Sequence, residues 1–169
     1  QAIALREKHG KGARFWAGGT DMTLQWQRSQ IDLDCCVDIT GLGGLDRIEV
    51  TPTAITIGAL VTLAELERAG GRHPLLASLA AVAQLMCTPQ TRNLATVGGN
   101  LCNASPAADL SPAFVALAAE VVIAGAKAEH RMAMEAFFIG AKRTVLAPSD
   151  SLTRIIIPLP AGRTASSYR

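Results

Sequence analysis

Short apolar runs alternate along the chain between patterns typical of buried strands and patterns typical of amphipathic helices. Strands are predicted at residues 13–17 and 35–39, and two more on either side of Thr51-Pro52. A hairpin is predicted over residues 120–132, and the segment 151–160 is predicted to contain a late strand that ends at Pro158. The first two of these are nearly continuous apolar runs, which indicates strands that are buried rather than half-exposed.

Five segments carry helical patterns instead, at residues 21–28, 62–70, 74–86, 110–120 and 135–140. Thr20 and Asp21 suit the N-terminal cap of the first helix. In the fourth, Ser111 is expected as the cap, with Pro112 at the first helical position. These helices mix with the strands without a regular βαβ period, which favours an α+β fold. We expect a small N-terminal lobe over about residues 1–56 and a larger second lobe over about residues 57–169.

Composition narrows the classes of function. The chain has 169 residues, 49% of them apolar and 18% charged, which suits one ordered domain with a sizeable core. Its net charge of +2 comes without a dense Lys/Arg run, so no nucleic-acid partner is expected. No apolar run reaches the length of a membrane span, and no leader pattern is present. We expect a cytoplasmic protein, and a piece of something longer, because the chain begins at Gln1.

The cysteines and histidines form no recognisable metal or catalytic pattern. Cys35, Cys36, Cys87 and Cys102 include no C-x2-C spacing, so neither a zinc site nor an iron–sulfur cluster is predicted. The three histidines lie in polar or turn-like stretches. We therefore expect structural or surface roles for these side chains, and no catalytic residue.

Two Gly-Gly motifs are the most informative feature of the sequence. "WAGGTD" spans residues 16–21 and "TVGGNLCNASPAAD" spans residues 96–109. Paired glycines allow positive φ angles and remove Cβ atoms, so that successive N–H groups can converge on an anion, helped by a helix that begins just afterwards. Two such loops could hold the two phosphates of one ligand. From the residues alone, the alternatives are a nucleotide or dinucleotide site and two ordinary turns, since neither motif is a G-x-G-x-x-G or Walker A pattern.

Polar side chains follow the second glycine pair among small residues: Asn100, Asn103, Ser105 and Asp109. Small residues let a ligand lie close to the backbone, and amides or a carboxylate can bind hydroxyl groups or ring edges. The same residue types are common in turns and caps. Asp109 in particular has the alternative role of capping the helix that follows it.

Three segments together resemble the FAD-binding domain of the molybdenum hydroxylases, the family of xanthine dehydrogenases, aldehyde oxidases and aerobic carbon monoxide dehydrogenases. They are "WAGGTDM", "PQTRNLATVGGNLCNASPAADLSPAFVALAAEV" and "AFFIGAKRTVLAPSDSLTRIIIPLP", in that order along nearly the whole chain. The resemblance implies a two-lobed α+β domain with FAD between the lobes. The cofactor-binding residues that it implies are Trp16, Ala17, Gly18, Gly19, Thr20, Asp21, Met22, Met86, Thr96, Val97, Gly98, Gly99, Asn100, Cys102, Asp109 and Leu152.

The resemblance also implies a role for each group of these residues. Residues 17–21 wrap the FAD pyrophosphate, and Thr96 with residues 98–100 forms the opposing loop. Asp109 binds ribityl or ribose hydroxyls, Met86 and Leu152 pack on FAD, and Cys102 lies near the isoalloxazine as a packing residue.

The wider function implied by the resemblance is electron transfer. Electrons from [2Fe-2S] clusters on a small subunit, fed by a molybdopterin large subunit, reach FAD here and leave to NAD+, O2 or another acceptor. The family pattern continues into a C-terminal domain beyond the position of Arg169, and we expect FAD binding by the chain without that domain to be weakened. No cysteine-bearing insertion of the 4-hydroxybenzoyl-CoA reductase type is present. The alternatives are a different flavoenzyme with a related FAD fold and a non-catalytic assembly subunit that has lost FAD.

Overall fold

The computed structural model describes residues 1–159 of the chain. Its helices are α1 (Ala2–His9), α2 (Met22–Gln27), α3 (Leu63–Arg68), α4 (Pro74–Leu85), α5 (Pro89–Arg92), α6 (Val97–Asn103), α7 (Leu110–Ala116) and α8 (Met134–Phe137). Its strands are β1 (Ala13–Trp16), β2 (Cys35–Asp38), β3 (Ile48–Val50), β4 (Ala54–Gly58), β5 (Glu120–Ala124), β6 (Glu129–Ala133), β7 (Phe138–Gly140), β8 (Arg143–Thr144) and β9 (Ser151–Pro158). Strands and helices mix as expected, and the α+β fold class is confirmed.

The small lobe consists of two parallel strands and two helices. Strand β1 pairs with β2 in a register that places Ala13 opposite Cys35 and Trp16 opposite Asp38. Helix α1 lies against both strands, and the Arg6 guanidinium stacks 4.8 Å from the centroid of the Phe15 ring. Helix α2 follows β1 after a five-residue loop, so the crossover between the parallel strands contains the first Gly-Gly motif.

The larger lobe is built on a five-stranded antiparallel sheet with the order β3-β4-β9-β5-β6. The late strand β9 lies at its centre because its apolar residues, above all Ile155 and Ile157, are fully buried. Helices α3, α4 and α7 contribute their apolar faces to the same core. A capping box starts α3, in which Thr62 accepts from the Glu65 N–H at 3.2 Å and the Glu65 carboxylate accepts from the Thr62 N–H at 2.8 Å.

Three sequence expectations need correction. The hairpin of β3 and β4 belongs to the large sheet, so the small lobe ends before Ile48 rather than near residue 56. Helix α7 begins at Leu110, because Leu110 and Phe114 lie one turn apart and are both fully buried. Ser111 is therefore in the first turn and is not the cap. The segment 135–140 is only partly helical and changes to strand β7 at Phe138.

Burial of the α3 face should contribute strongly to the stability of the larger lobe. Leu66 is 0% exposed, and truncating it to alanine removes buried methyl groups and leaves a cavity, so Leu66→Ala should lower the free energy of unfolding by about 3 kcal/mol. Leu85→Ala, the same substitution at a residue that is 73% exposed, should change it by less than about 0.5 kcal/mol. Urea unfolding at 25 °C measures both. Equal losses for the two variants would contradict the assigned core.

Candidate functional site

The structure brings the two Gly-Gly motifs together at the junction of the two lobes. A Cβ atom placed on Gly18 would lie 1.9 Å from the Leu94 carbonyl oxygen and 3.2 Å from the Ala95 Cα. Leu94 and Ala95 directly precede the second motif. The backbone of the first motif therefore contacts the backbone of the segment that leads into the second motif. Only a residue without a side chain permits this contact at position 18.

Within the first motif, Gly19 is needed for two reasons. Its φ angle is +65°, in the left-handed region that residues with side chains rarely adopt. A Cβ atom there would also lie 2.4 Å from Cζ2 of the Trp16 indole. Trp16, the last residue of β1, thus covers Gly19 directly and fixes the path of the loop between β1 and α2.

The loop and the start of α2 carry a run of open hydrogen-bond donors. Among the described residues, no acceptor pairs with the backbone N–H groups of residues 18–22. Asp21 stands at the N-cap position of α2, but its side chain makes no capping hydrogen bond. Unpaired N–H groups at a tight loop and a helix start give a positive potential that suits an anion.

The second motif differs from the first, which corrects the expectation of one turn made twice. Gly98 and Gly99 lie in the first turn of α6 with negative φ angles, and their N–H groups already have protein acceptors. The Gly98 N–H donates to the Ala59 carbonyl at 2.8 Å, and the Gly99 N–H donates to Thr96 Oγ1 at 3.0 Å. Thr96, which is 6% exposed, is thus the side-chain cap of α6.

The glycines of α6 serve close packing rather than turning. A Cβ atom on Gly98 would lie 2.6 Å from the Ala59 Cβ and 2.7 Å from the Ala59 oxygen. A Cβ atom on Gly99 would meet only Thr96 Oγ1, at 2.9 Å, and the rest of Gly99 is exposed. Gly98 therefore fixes α6 to the larger lobe, while Gly99 leaves a bare surface that a ligand can approach.

Two buried polar atoms near this surface have no hydrogen-bond partner among the described residues. They are Oδ1 of Asn100, in the second turn of α6, and Oγ of Ser111, in the first turn of α7. A buried acceptor or hydroxyl without a partner costs free energy of about 1–3 kcal/mol. Such atoms are usually paired, with protein groups or with ordered water, so each needs a partner beyond the described protein residues.

Asp109 occupies the N-cap position of α7, the alternative role weighed from the sequence. Its side chain makes no capping hydrogen bond to the helix, although it interacts elsewhere in the structure. The position of Asp109 at the N-cap therefore does not by itself explain its side chain. The role of Asp109 in ligand binding stays a prediction.

The other expected contact residues lie deeper. Met86 and Leu152 belong to the main core and are 8% and 4% exposed, so each offers a ligand only a small surface. Cys102 lies on α6 and is exposed by surface area, yet protein atoms crowded around it raise the pKa of its thiol to about 12. The opposing charge of the nearby Arg6 lowers this pKa by less than burial raises it, and burial lowers the pKa of Arg6 itself. Cys102 is therefore a thiol and not a thiolate nucleophile at neutral pH.

Sequence reasoning missed the residues that hold these pieces in place. The Arg92 side chain, 12% exposed, donates from Nε to Glu67 at 3.0 Å and from Nη1 to the carbonyls of Gln84, Met86 and Cys87 at 3.3, 3.1 and 3.1 Å. Arg92 thereby connects α3, and also the end of α4, to the segment that leads into α6. No signal in the sequence marks Arg92, since a charged side chain is ordinary on a surface and its partners are recognised only in the fold.

Other classes of site find no support in residues 1–159. No group of three or more His, Cys, Asp or Glu side chains is arranged to hold a metal ion there. None of the described helices has both the length and the apolar character that crossing a bilayer requires.

Comparison with known proteins gives one consistent result. Residues 1–160 match the model of the family described as FAD binding domain in molybdopterin dehydrogenase. The chain is 34% identical to the nicotinate dehydrogenase FAD-subunit of Eubacterium barkeri, over 90% of this chain and 52% of the relative. It is 30% identical to the carbon monoxide dehydrogenase medium chain of Afipia carboxidovorans, over 94% of this chain and 55% of the relative. The chain thus spans little more than half the length of these relatives.

Solved structures agree with the sequence comparisons. The cyanide-inactivated form of a Cu,Mo-CO dehydrogenase superposes with a TM-score of 0.89 at 30% identity, over 94% of this chain and 56% of the other. A carbon monoxide dehydrogenase from Hydrogenophaga pseudoflava gives a TM-score of 0.87 at 26% identity, over 95% of this chain and 56% of the other.

The backbone contacts of Gly18 and Gly98 should make both positions intolerant of even one methyl group. Gly18→Ala and Gly98→Ala place a Cβ against backbone atoms that cannot rotate away, so each should lower the free energy of unfolding by about 1–3 kcal/mol. Gly43→Ala is the matched control, because nothing lies within 4 Å of its added Cβ and its φ is not positive. Urea unfolding without added ligand measures all three, and a control as damaged as the site variants would refute the contact argument.

The Cys102 thiol should resist alkylation at moderate pH. With a pKa raised to about 12, its thiolate fraction at pH 8 is about one in ten thousand, and it rises tenfold with each pH unit up to the pKa. Iodoacetamide at pH 8 should therefore label the exposed Cys36 well before Cys102, as measured by peptide mass mapping over time. Because Cys102 is also exposed by area, equal labelling rates would show that water, and not the crowded protein, sets its pKa.

Proposed function

The chain belongs to the family of FAD-binding domains in molybdopterin dehydrogenases, and we propose that its two glycine motifs hold FAD at the junction of the lobes. The observation that carries this proposal is the run of N–H groups over residues 18–22 that have no acceptor among residues 1–159, in a loop whose Gly18 contacts the backbone of Leu94 just before α6. The diphosphate is the part of FAD whose negative charge these groups fit.

The two motifs take different shares of the diphosphate. The loop of residues 17–21 supplies the hydrogen-bond donors, with Trp16 and Met22 at its ends. The N-terminal turn of α6, capped by Thr96 and followed by Val97, has its own N–H groups paired and contributes the helix dipole and the bare surface of Gly99. Asn100, with an unpaired buried oxygen, supplies the polar side chain on the α6 side.

The remaining contacts of this proposal are those with the ribityl chain or ribose and with the isoalloxazine. In this proposal Asp109, at the start of α7, accepts hydrogen bonds from hydroxyl groups of the ribityl chain or ribose. Met86 and Leu152 offer apolar edges, and Cys102 a neutral thiol, to the isoalloxazine. None of these residues has to move a proton, because their tasks are to orient the cofactor and to exclude water around it.

We further propose that the domain serves a multi-subunit molybdenum hydroxylase with an iron–sulfur small subunit and a molybdopterin large subunit. Support comes from relatives that are named as the FAD-subunit or medium chain of such dehydrogenases. The chemistry that bound FAD supplies is the acceptance of electrons from [2Fe-2S] clusters and their transfer to NAD+, O2 or another acceptor. The cytoplasmic location stays a prediction.

The alternative functions are less well supported. A different flavoenzyme is disfavoured because the family match covers residues 1–160 and includes both motifs. An assembly subunit without FAD would gain nothing from five successive N–H groups that have no acceptor in the described part of the chain, beside a bare glycine surface.

Titration of the purified chain with FAD tests the proposal. One FAD should bind per chain, and riboflavin, which lacks the diphosphate, should bind far more weakly. Gly99→Val places a side chain on the bare surface of α6, so its Kd for FAD should rise about tenfold or more, which corresponds to about 1.4 kcal/mol. Gly41→Val is the control, since nothing lies within 4 Å of a Cβ there.

Circular dichroism of each variant without FAD shows whether it is folded, because the Gly99 Cβ also approaches the Thr96 cap. Failure of the wild-type chain to bind FAD, or an unchanged Kd in a folded Gly99→Val variant, would overturn this arrangement.

A further inference from the structure

Three side chains, from two helices and the turn between β7 and β8, meet at the end of α6. Oδ1 of Asn103 accepts a hydrogen bond from Nε2 of Gln25 at 3.0 Å and another from Nζ of Lys142 at 3.0 Å. Gln25 lies on α2 in the small lobe, whereas Asn103 and Lys142 belong to the larger lobe. We call these three residues the interlobe bridge.

The bridge joins the helices that follow the two glycine motifs. Helix α2 begins directly after residues 17–21, and Gln25 lies in its second turn. Helix α6 contains Gly98 and Gly99, and Asn103 is its last residue. Because each helix directly follows or contains its glycine pair, the Gln25–Asn103 hydrogen bond restrains the separation of the two motifs at a second point, beyond the backbone contact of Gly18 with Leu94.

The end of α6 is itself fixed by strained backbone. Ala104, directly after α6, has a φ angle of +45°, and Lys142, between β7 and β8, has a φ angle of +59°. The Lys142 N–H donates to the Ala104 carbonyl at 2.8 Å, so the two left-handed residues are joined by one hydrogen bond. Non-glycine residues in this region cost about 1–3 kcal/mol each and persist only where the surroundings determine them. Lys142 therefore anchors α6 twice, through its backbone and its ammonium group.

We propose that Gln25, Asn103 and Lys142 are positioning residues that set the spacing of the two glycine motifs and thereby the affinity for FAD. The inference rests on the proposed function of the site. The bridge acts through the helices, without contact to the cofactor. A merely structural bridge would change the stability of the free chain and leave the Kd of the folded chain unaltered.

A double-mutant cycle on Gln25 and Asn103 tests the proposal, with FAD as the probe. Gln25→Leu and Asn103→Leu should each raise the Kd about fivefold, the effect of one partly buried hydrogen bond. The double variant should bind about as weakly as the worse single variant, because the same interaction is lost. Lys142→Met should weaken binding in the same direction. Gln27→Leu is the matched control, since Gln27 is exposed on the same helix and its side chain makes no hydrogen bond with any of residues 1–159.

Binding by the wild-type chain in the same titration decides the proposed function separately. If the wild type binds FAD and the bridge variants, folded by circular dichroism, bind with an unchanged Kd, the bridge has no positioning role. An equal loss in Gln27→Leu, or additive losses in the double variant, would also overturn it. Thermal unfolding without FAD supplies the second readout, and a fall in stability unaccompanied by a change in Kd counts against the proposal.

Discussion

The arrangement of the site depends on the close approach of backbone to backbone where the lobes meet. Gly18 lies against the Leu94 carbonyl, and Gly98 lies against Ala59, at separations that leave no room for a Cβ atom. The first contact joins the small lobe to the segment before α6, and the second joins α6 to the end of β4. Strand β4 in turn pairs with β9 at the centre of the large sheet. The contacts that connect the first motif to the core of the larger lobe therefore include two glycines. Any side chain at either point would push the two halves of the site apart.

The two glycine motifs look alike in sequence and act differently in the structure. In the first, Gly19 makes a left-handed turn beneath Trp16, and a run of N–H groups there has no acceptor within residues 1–159. In the second, the N–H groups donate to oxygen atoms of Ala59, Val61 and Thr96. These hydrogen bonds fix the start of the helix but leave its N–H groups unable to donate to a ligand. A site built this way is asymmetric, because one side donates hydrogen bonds while the other presents a rigid helix end and a bare surface. The asymmetry suits a diphosphate whose two phosphates differ in their neighbours.

Much of the fold was predictable because local patterns decided it. The strands around Thr51-Pro52 and the α3 and α4 helices follow directly from apolar periodicity. The membership of β3 and β4 in the large sheet was not predictable, because β4 pairs with β9 about a hundred residues later and no local signal records that choice. The cap of α7 was misplaced because Ser111 and Pro112 form a typical start signal. The burial of Leu110 extends the helix upstream, and Pro112 is tolerated in a first turn whose N–H groups lack helical partners anyway.

For the site, the residues that touch the ligand were easier to find than the residues that place them. Glycine pairs and adjacent amides are visible in a sequence because their chemistry is unusual. Arg92 and Gln25 carry no such signal, since a charged or amide side chain is ordinary on a surface and gains a role only through partners distant in sequence. The same reasoning explains the positive φ angles at Ala104 and Lys142, which no propensity would place there. One hydrogen bond between these two strained residues holds the end of the helix that carries the second motif. The larger lobe therefore determines the conformation of this end of α6 by itself.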